Sequence, residues 1–298
     1  MRIVNFNEER IGVVEGDTVA DISDLVGYDP AAWPPTGMLR LIASFDQIRP
    51  RIEDRLRTAE RIPLSKAKLN CPVTWPNKVI AYPANYRAHI DEMKTGTGLI
   101  STYNASGQGF FLKANSSLSG PADPIVLPAL PDREIHHECE LAIIIGKGGR
   151  GITREHAASH IFGYSCLIDV VIRGKEERVM RKSFDTFCPM GPWLTTSDEI
   201  RRYDDIDLEL TVNGELRQKA NTRDLIVDVP EMIAMASSVM TLYPGDVIAS
   251  GTPSGVGRLK NGDRLDIRIA GVGAMTLDVK QGDDGAHPLW DKAPTMTA

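Results

Sequence analysis

Glu138 and Glu140 stand one residue apart in the stretch EIHHECELAIIIG, just before an apolar run from Leu141 to Ile145. In an extended chain, residues two apart leave the same face, so the two carboxylates project together while Cys139 turns into apolar packing behind them. Carboxylates that close repel one another unless both stay solvated, one takes up a proton, or a cation lies between them. Asp169 poses the same question in GYSCLIDVVIRG, where it interrupts an otherwise apolar segment. A buried acid needs a partner, and two are open to it: an ion pair with Arg173, or service as a third oxygen ligand. Three carboxylates and water suit a hard divalent cation such as Mg2+, Mn2+ or Ca2+. On these residues alone the ion-paired and metal-binding readings stand about even. By alternation His136 shares the face of Glu138 and Glu140 and His137 does not; an imidazole near a hard-cation site more often supports than ligates, and neither is placed in the ligand set.

A second pair lies in NYRAHIDEMK, where His89 and Glu92 are three residues apart and would meet on one face of a helix. A carboxylate that orients an imidazole makes it a general base able to strip a water; the alternative is an incidental surface ion pair, the commoner case for such a pair taken alone. RKSFDTFCPMGPW and ASGTPSGVG read as irregular loops rich in Gly, Pro and small polar residues. In them Lys182 could neutralise an anionic substrate or a developing enolate, and Thr252 with the backbone of Gly251 to Gly257 could hydrogen-bond a carboxylate. GTPSGVG lacks the spacing and the Lys-Ser/Thr ending of a phosphate loop.

The elements that must position these groups are mostly strands. MRIVNF and RIGVVEGDTVADI predict two or three strands, and TGMLRLIASFDQIRPRIEDRLRTAERI predicts helix, broken near Pro50. A boundary is expected between about Arg61 and Trp75, giving a small N-terminal α+β domain over 1–70 and a catalytic domain over 71–298. Beyond it, YRAHIDEMKT, TREHAASHIF and VPEMIAMASSVM are the better helical patterns, and most of the remainder reads as β-runs closed by Gly, Asn and Asp turns, NG among them. The class is therefore α+β and β-rich, without the alternation of a βαβ sheet or a solenoid repeat. The tail QGDDGAHPLWDKAPTMTA reads as a loosely held segment with Trp290 as an anchor.

With 298 residues, 42% of them hydrophobic and 25% charged, the chain has ordinary globular composition. A net charge of -6 without a dense Lys/Arg run disfavours nucleic acid, while local basic groups leave room for a small anionic substrate. No stretch approaches the roughly 20 apolar residues of a membrane span, and MRIVNFNEER lacks the layout of a signal peptide, so a cytoplasmic location is expected. Cys71, Cys139, Cys166 and Cys188 are scattered and read as buried free thiols.

Taken in order, NYRAH, FLKANSSLSGP, HECELAIIIGK, GYSCLIDVVIR, KSFDTFCPMGPW and LYPGDVIASGTPSGVG resemble the fumarylacetoacetate hydrolase superfamily, over about Cys71 to Gln281. The opening MRIVNF...GVVEGDTVADI resembles the small N-terminal domain of many bacterial members. The resemblance implies a mixed β-sandwich roll that commonly dimerises, and a Mg2+ or Mn2+ site made by Glu138, Glu140 and Asp169. It further implies His89 and Glu92 as the pair that activates water, Lys182 as the lysine before FDT, and Arg173, Thr252 and Tyr86 as substrate-binding residues. KTGTGLISTYNASGQG is then the mobile lid. The implied activity is hydrolytic cleavage of a carbon-carbon bond in a 2-oxo or 2,4-dioxo acid of acylpyruvate or fumarylpyruvate type. Its rivals are decarboxylation or keto-enol isomerisation of a 2-oxo dicarboxylic acid (oxaloacetate or 2-hydroxyhepta-2,4-diene-1,7-dioate type) at the same metal, and a metal-stabilised binding protein without activity. The chain departs from the common pattern at Ile168 (Asn in most members), at Glu176 (often Gln), in a shortened segment between Arg173 and Lys182, and at Pro83 and Ala84 before NYRAH. Those positions shape the substrate end of the site.

Overall fold

The apolar run after Glu140 becomes the strand Cys139–Ile145, antiparallel to Ile161–Ile168 with Cys139 opposite Ile168 and Leu141 opposite Cys166. Both strands are buried along their whole length, which is why neither carries polar alternation. The period of two survives in the choice of core. Cys139, Leu141, Ile143 and Ile145 enter one apolar cluster, and Ala142 and Ile144 enter another on the opposite face. The computed structural model describes residues 1–97, 104–130 and 133–283.

These two strands lie inside an 11-stranded mixed sheet. One side continues through Cys188–Thr196 to the N-terminal strands Arg2–Phe6, Arg10–Glu15, Thr18–Asp21 and Arg61–Pro63. The other continues through Val247–Ala249 and Val79–Ala81 to the edge strand Phe111–Lys113. Arg2 pairs opposite Thr195, so the N-terminal strands extend this sheet directly. The helix Gly37–Leu56 packs Leu41, Ile42, Phe45 and Ile52 into the cluster of Ala142 and Ile144, with Phe45 edge-on to Phe162 at 5.0 Å between ring centroids. The break expected near Pro50 does not occur: Pro50 and Asp46, the residue whose carbonyl a proline at this position leaves without its helical donor, are both on the exposed side.

A five-stranded sheet, in the order Glu215–Asn221, Asp207–Val212, Arg264–Ile269, Gly273–Gln281 and Ile125–Leu127, shares the larger core with Cys139–Ile145. Its NG turn has φ 53° at Asn213 and 81° at Gly214, the left-handed pair a two-residue hairpin turn requires. A third, three-stranded sheet matters most for the site. Val171–Ile172, Ile135–His137 and Gly257–Arg258 pair there, and these short strands flank Asp169, Glu138 and the GTPSGV loop respectively.

The expected α+β, strand-rich class is what the chain adopts. Three local expectations differ. The strand carrying Asp169 ends at Ile168, because the chain leaves one sheet there and joins another at Val171. CPMGPW is not loop but the start of the strand Cys188–Thr196; Pro192 falls where the register against Ile161–Ile168 shifts, so no ladder donor is missed. TREHAASHIF yields one helical turn, Arg154–Ala157, followed by a 3-10 turn, since Ile161 and Phe162 are drawn into the sheet. YRAHIDEMKT and VPEMIAMASSVM do give helices, Arg87–Thr97 and Val229–Val239, the latter capped by the Asp228 side chain. Of the lid segment, residues 98–103 lie outside the described residues, and Ala105–Gln108 forms one turn capped by Asn104. The tail from 284, with Trp290, also lies outside them. All four cysteines are buried and free. No helix among the described residues is long and apolar enough to cross a membrane.

Candidate active site

Strand register brings the three acids together. One pair beyond Cys139 and Ile168, the Asp169 N–H donates to the Glu138 carbonyl at 2.8 Å. Glu138 and Asp169 are thus directly opposite across the ladder, and Glu140 is the next residue on that face. They are 6%, 1% and 2% exposed, and one oxygen from each lies within 4.8 Å of the others. No other group of three or more His, Cys, Asp or Glu is so arranged among the described residues.

Three cations face this cluster. Lys182 Nζ lies 2.6 Å from Glu138 Oε2 and 2.5 Å from Asp169 Oδ2, and Arg173 is 3.3 Å from Glu138 Oε1. Lys113, its side chain wholly buried, donates to Asp169 Oδ1 and to the carbonyls of Lys182 (2.8 Å) and Phe187 (3.2 Å). The two glutamates respond in opposite directions. Burial opposes ionisation of Glu138, but Lys182 and Arg173 outweigh it and hold the carboxyl below the ordinary range. Burial, with Asp169 beside it, pushes Glu140 well above that range. A buried oxygen donor set in which one carboxyl resists ionisation is what a hard divalent cation would relieve, so the residues fit such an ion.

The candidate base is built on a helix and tied down by a loop. His89, 3% exposed, places Nδ1 2.9 Å from Glu92 Oε2, and Glu92 Oε1 accepts the Gly255 N–H at 2.9 Å. Burial raises the Glu92 carboxyl, but the His89 and Gly255 hydrogen bonds bring it below its ordinary value. An ionised carboxylate can only accept, so Nδ1 carries the ring proton and Nε2 is left as the basic nitrogen. The same loop donates the Gly251 N–H to Glu140 Oε2 at 2.8 Å. Two of its backbone donors, at Gly251 and Gly255, therefore serve the protein's own carboxylates at the two ends of the site. Gly251 takes φ +89°, where a Cβ would stand 2.6 Å from Asn85 Cβ. Asn85 is wholly buried and bonds the Val227 and Ser250 carbonyls, locking the NYRAH segment to this loop.

Of the residues singled out in the sequence, His89, Glu138, Glu140, Asp169, Arg173, Lys182 and Thr252 line one cavity, with Glu92 behind His89. The Thr252 hydroxyl donates to the Cys139 carbonyl at 3.0 Å and accepts from Gln218 Nε2 at 2.7 Å, so its proton is used within the protein. Tyr86 is buried but does not line the cavity, and its hydroxyl has no hydrogen-bond partner among the described residues. His136 receives a hydrogen bond from Arg173 Nε at 3.1 Å, and His137 is buried against Gln218. Lys113, Gln218, Met93, Arg178 and Arg181 were not singled out. Gln218 was legible only as a polar residue in a strand, yet it is 1% exposed and joins Cys139, Thr252 and Pro253.

Residues 78–280 match the family model described as fumarylacetoacetate (FAA) hydrolase C-terminal. The chain belongs to the fumarylacetoacetate hydrolase family. Every site residue above lies within that match. Maleylpyruvate hydrolase of Aquipseudomonas alcaligenes is 43% identical over 286 residues, 94% of this chain and 99% of that protein. A solved member, maleylpyruvate hydrolase from Sphingobium sp. SYK-6 in complex with manganese(II) ion and pyruvate, is 54% identical with a TM-score of 0.86, covering 95% of this chain and 100% of that one. Oxaloacetate tautomerase YisK of Bacillus subtilis is 36% identical over 228 residues, 72% of this chain and 74% of that protein.

Proposed function

We propose that this chain is a divalent-metal-dependent hydrolase that cleaves the carbon-carbon bond of an acylpyruvate, giving pyruvate and a carboxylic acid. The observation that carries the reading is one cavity lined by both His89, held by Glu92, and the carboxylates of Glu138, Glu140 and Asp169. The similarity to two maleylpyruvate hydrolases supports it.

Glu138, Glu140 and Asp169 would hold Mg2+ or Mn2+, which when bound supplies Lewis acidity at the 2-oxo-acid end of the substrate. His89 takes a proton at Nε2 from the water that attacks the distal carbonyl, and Glu92 stabilises the imidazolium that results. The bond to the pyruvyl carbon then breaks, its electron pair passing to the pyruvyl fragment, which takes up a proton to give pyruvate. Lys182 and Arg173 face the negative charge that builds there. Thr252, bonded to Gln218 and Cys139, keeps the loop of Gly251 and Gly255 in place against Glu140 and Glu92. Tyr86 is buried and does not line the cavity, so it makes no substrate contact in this reading.

The same reading takes the chain as a cytoplasmic homodimer with no nucleic-acid or membrane partner, supported by its net charge of -6 and by the habits of the family it resembles. The test is pyruvate release from a panel of acylpyruvates with Mn2+ or Mg2+, alongside oxaloacetate. Turnover of the acylpyruvates supports hydrolysis. Conversion of oxaloacetate alone would replace it with the second reading, tautomerisation or decarboxylation, which the likeness to an oxaloacetate tautomerase favours.

A further inference from the structure

The strand Ile135–His137 and the residues flanking it set Glu134, His136 and Glu138 two apart, so their side chains leave one face of the chain. Antiparallel pairing with Val171–Ile172 puts Val171 opposite His136 and Ile172 opposite Ile135. One step further, the Arg173 N–H donates to the Glu134 carbonyl at 2.8 Å, so Arg173 stands opposite Glu134 and its side chain shares that face. The side chain runs along it past both neighbours. Nε donates to His136 Nδ1 at 3.1 Å, and a terminal nitrogen lies 3.3 Å from Glu138 Oε1. On the far side of the ring, His136 Nε2 is 3.0 Å from Glu134 Oε2. Arg173 lines the cavity, whereas His136 and Glu134 do not.

A guanidinium can only donate and an ionised carboxylate can only accept, so the ring between them has one arrangement: Nδ1 turns its lone pair to Arg173, and Nε2 carries the proton that faces Glu134. Such a ring is neutral, and it anchors Nε without cancelling the charge of the arginine. We propose that His136, fixed in this tautomer by Glu134, is the positioning residue for Arg173, aiming its guanidinium into the cavity for the carboxylate of a 2-oxo acid. The inference rests on the reading above, in which Arg173 faces the 2-oxo-acid end of the substrate. Arginine has many rotamers to lose on ordering, and this one is 34% exposed along its side chain. An anchor at Nε meets that cost before the substrate arrives, which favours binding by a planar fork held in advance.

The test is a double-mutant cycle on Mn2+-loaded protein: wild type, His136→Leu, Arg173→Met and the double variant. His136→Asn joins it as the conservative change, because its amide oxygen falls where Nδ1 stood. Turnover is read as kcat/KM on acetylpyruvate and on oxaloacetate, so the cycle can be completed on whichever 2-oxo acid is converted. His136→Leu should lower kcat/KM by about tenfold, the lower end of what a hydrogen bond to a charged group supplies. The same change made in Arg173→Met should cost less than about twofold, and Asn should recover most of the loss seen with Leu. The Mn2+ Kd of both His136 variants, measured by calorimetry, should stay within about threefold of wild type, which separates aiming Arg173 from damage to Glu138. In spectra of 15N-histidine-labelled protein, the His136 Nδ1 resonance, assigned by its loss in His136→Asn, should move in Arg173→Met as that nitrogen loses its donor. Melting curves check that each variant is folded, and His136→Gln, whose amide stands one bond further out, replaces His136→Leu if that variant is not. Equal losses from His136→Leu in the two backgrounds, or an Nδ1 resonance indifferent to Arg173, would overturn the positioning role. Turnover of neither 2-oxo acid by wild type would overturn the proposed function instead, and the Nδ1 resonance would then decide the role of His136 by itself.

Discussion

Glu92→Gln is the sharpest probe of the proposed base. The glutamate uses both oxygens, one toward His89 Nδ1 and one toward the Gly255 N–H, each at 2.9 Å. An amide keeps the shape but not the pattern. Turned with its NH2 toward Gly255, it sets two donors against each other; turned the other way, its NH2 donates to Nδ1 and drives the ring proton onto Nε2. That is the nitrogen meant to receive the proton from water. Losing one charge-assisted hydrogen bond weakens the arrangement by about 1.5–3 kcal/mol, and losing the base altogether lowers the rate by about 10²–10⁴-fold. We expect kcat for acylpyruvate hydrolysis to fall within about 10²–10⁴-fold, measured as pyruvate release at saturating Mn2+. The melting temperature should fall by only a few degrees, because the Glu92 side chain is 34% exposed, which screens the lost bond, and no charge is stranded in the core. The pH dependence has a definite sign. Since the folded carboxyl lies below its ordinary 4.5, the contribution of the hydrogen bonds it accepts from His89 and Gly255 is complete above that pH and is lost as pH falls through the folded value. The acid-side loss of stability from this pair therefore lies below about pH 4.5 and should be missing in the variant. A variant with kcat within threefold of wild type would refute the argument, and oxaloacetate tautomerisation surviving intact while hydrolysis is lost would strengthen it.

Three further outcomes follow from the same geometry. Adding Mn2+ to chelator-treated protein should stabilise it by about 2.7 kcal/mol at a hundredfold excess over Kd, seen as a rise in melting temperature that Glu140→Ala abolishes; a flat wild-type titration would remove the metal site. Lys113→Met takes one cation from Asp169 and leaves the Lys182 and Phe187 carbonyls without that donor, so urea unfolding should show a loss of about 3–5 kcal/mol. A change below about 1 kcal/mol, the limit for a surface pair, would mean the buried contact is not structural. Gly251→Ala forces a Cβ to within 2.6 Å of Asn85 Cβ and 2.8 Å of the Tyr82 carbonyl at a left-handed φ, so the loop must shift and its N–H groups must leave Glu140 and Glu92. We expect a stability loss of at least about 1–3 kcal/mol and lower kcat together; wild-type kcat with unchanged Mn2+ affinity would show that the loop does not position both ends of the site.

What the residues determined by themselves was short in range. The period of two placed Glu138 and Glu140 on one face with Cys139 behind them, the helical interval of three joined His89 to Glu92, and NG fixed a hairpin at Asn213 and Gly214. Those relations hold wherever the chain is extended or helical, because backbone geometry alone sets them. The third acid was different. Asp169 was legible as a buried charge, but Arg173 could have answered it equally well until the pairing of Cys139 with Ile168 set Asp169 opposite Glu138. Only the folded chain could show that Lys113, from the edge strand, reaches Asp169, that Gln218 stands behind Thr252, or that the loop of Gly251 and Gly255 spends its donors on Glu140 and Glu92. Pro50 inside an unbroken helix belongs with them, since its tolerance depends on which side faces the core. The physical reason is common to all of these: register and burial are settled by contacts between residues tens to hundreds of positions apart, and the local pattern carries the period of each strand but not which strand it will meet.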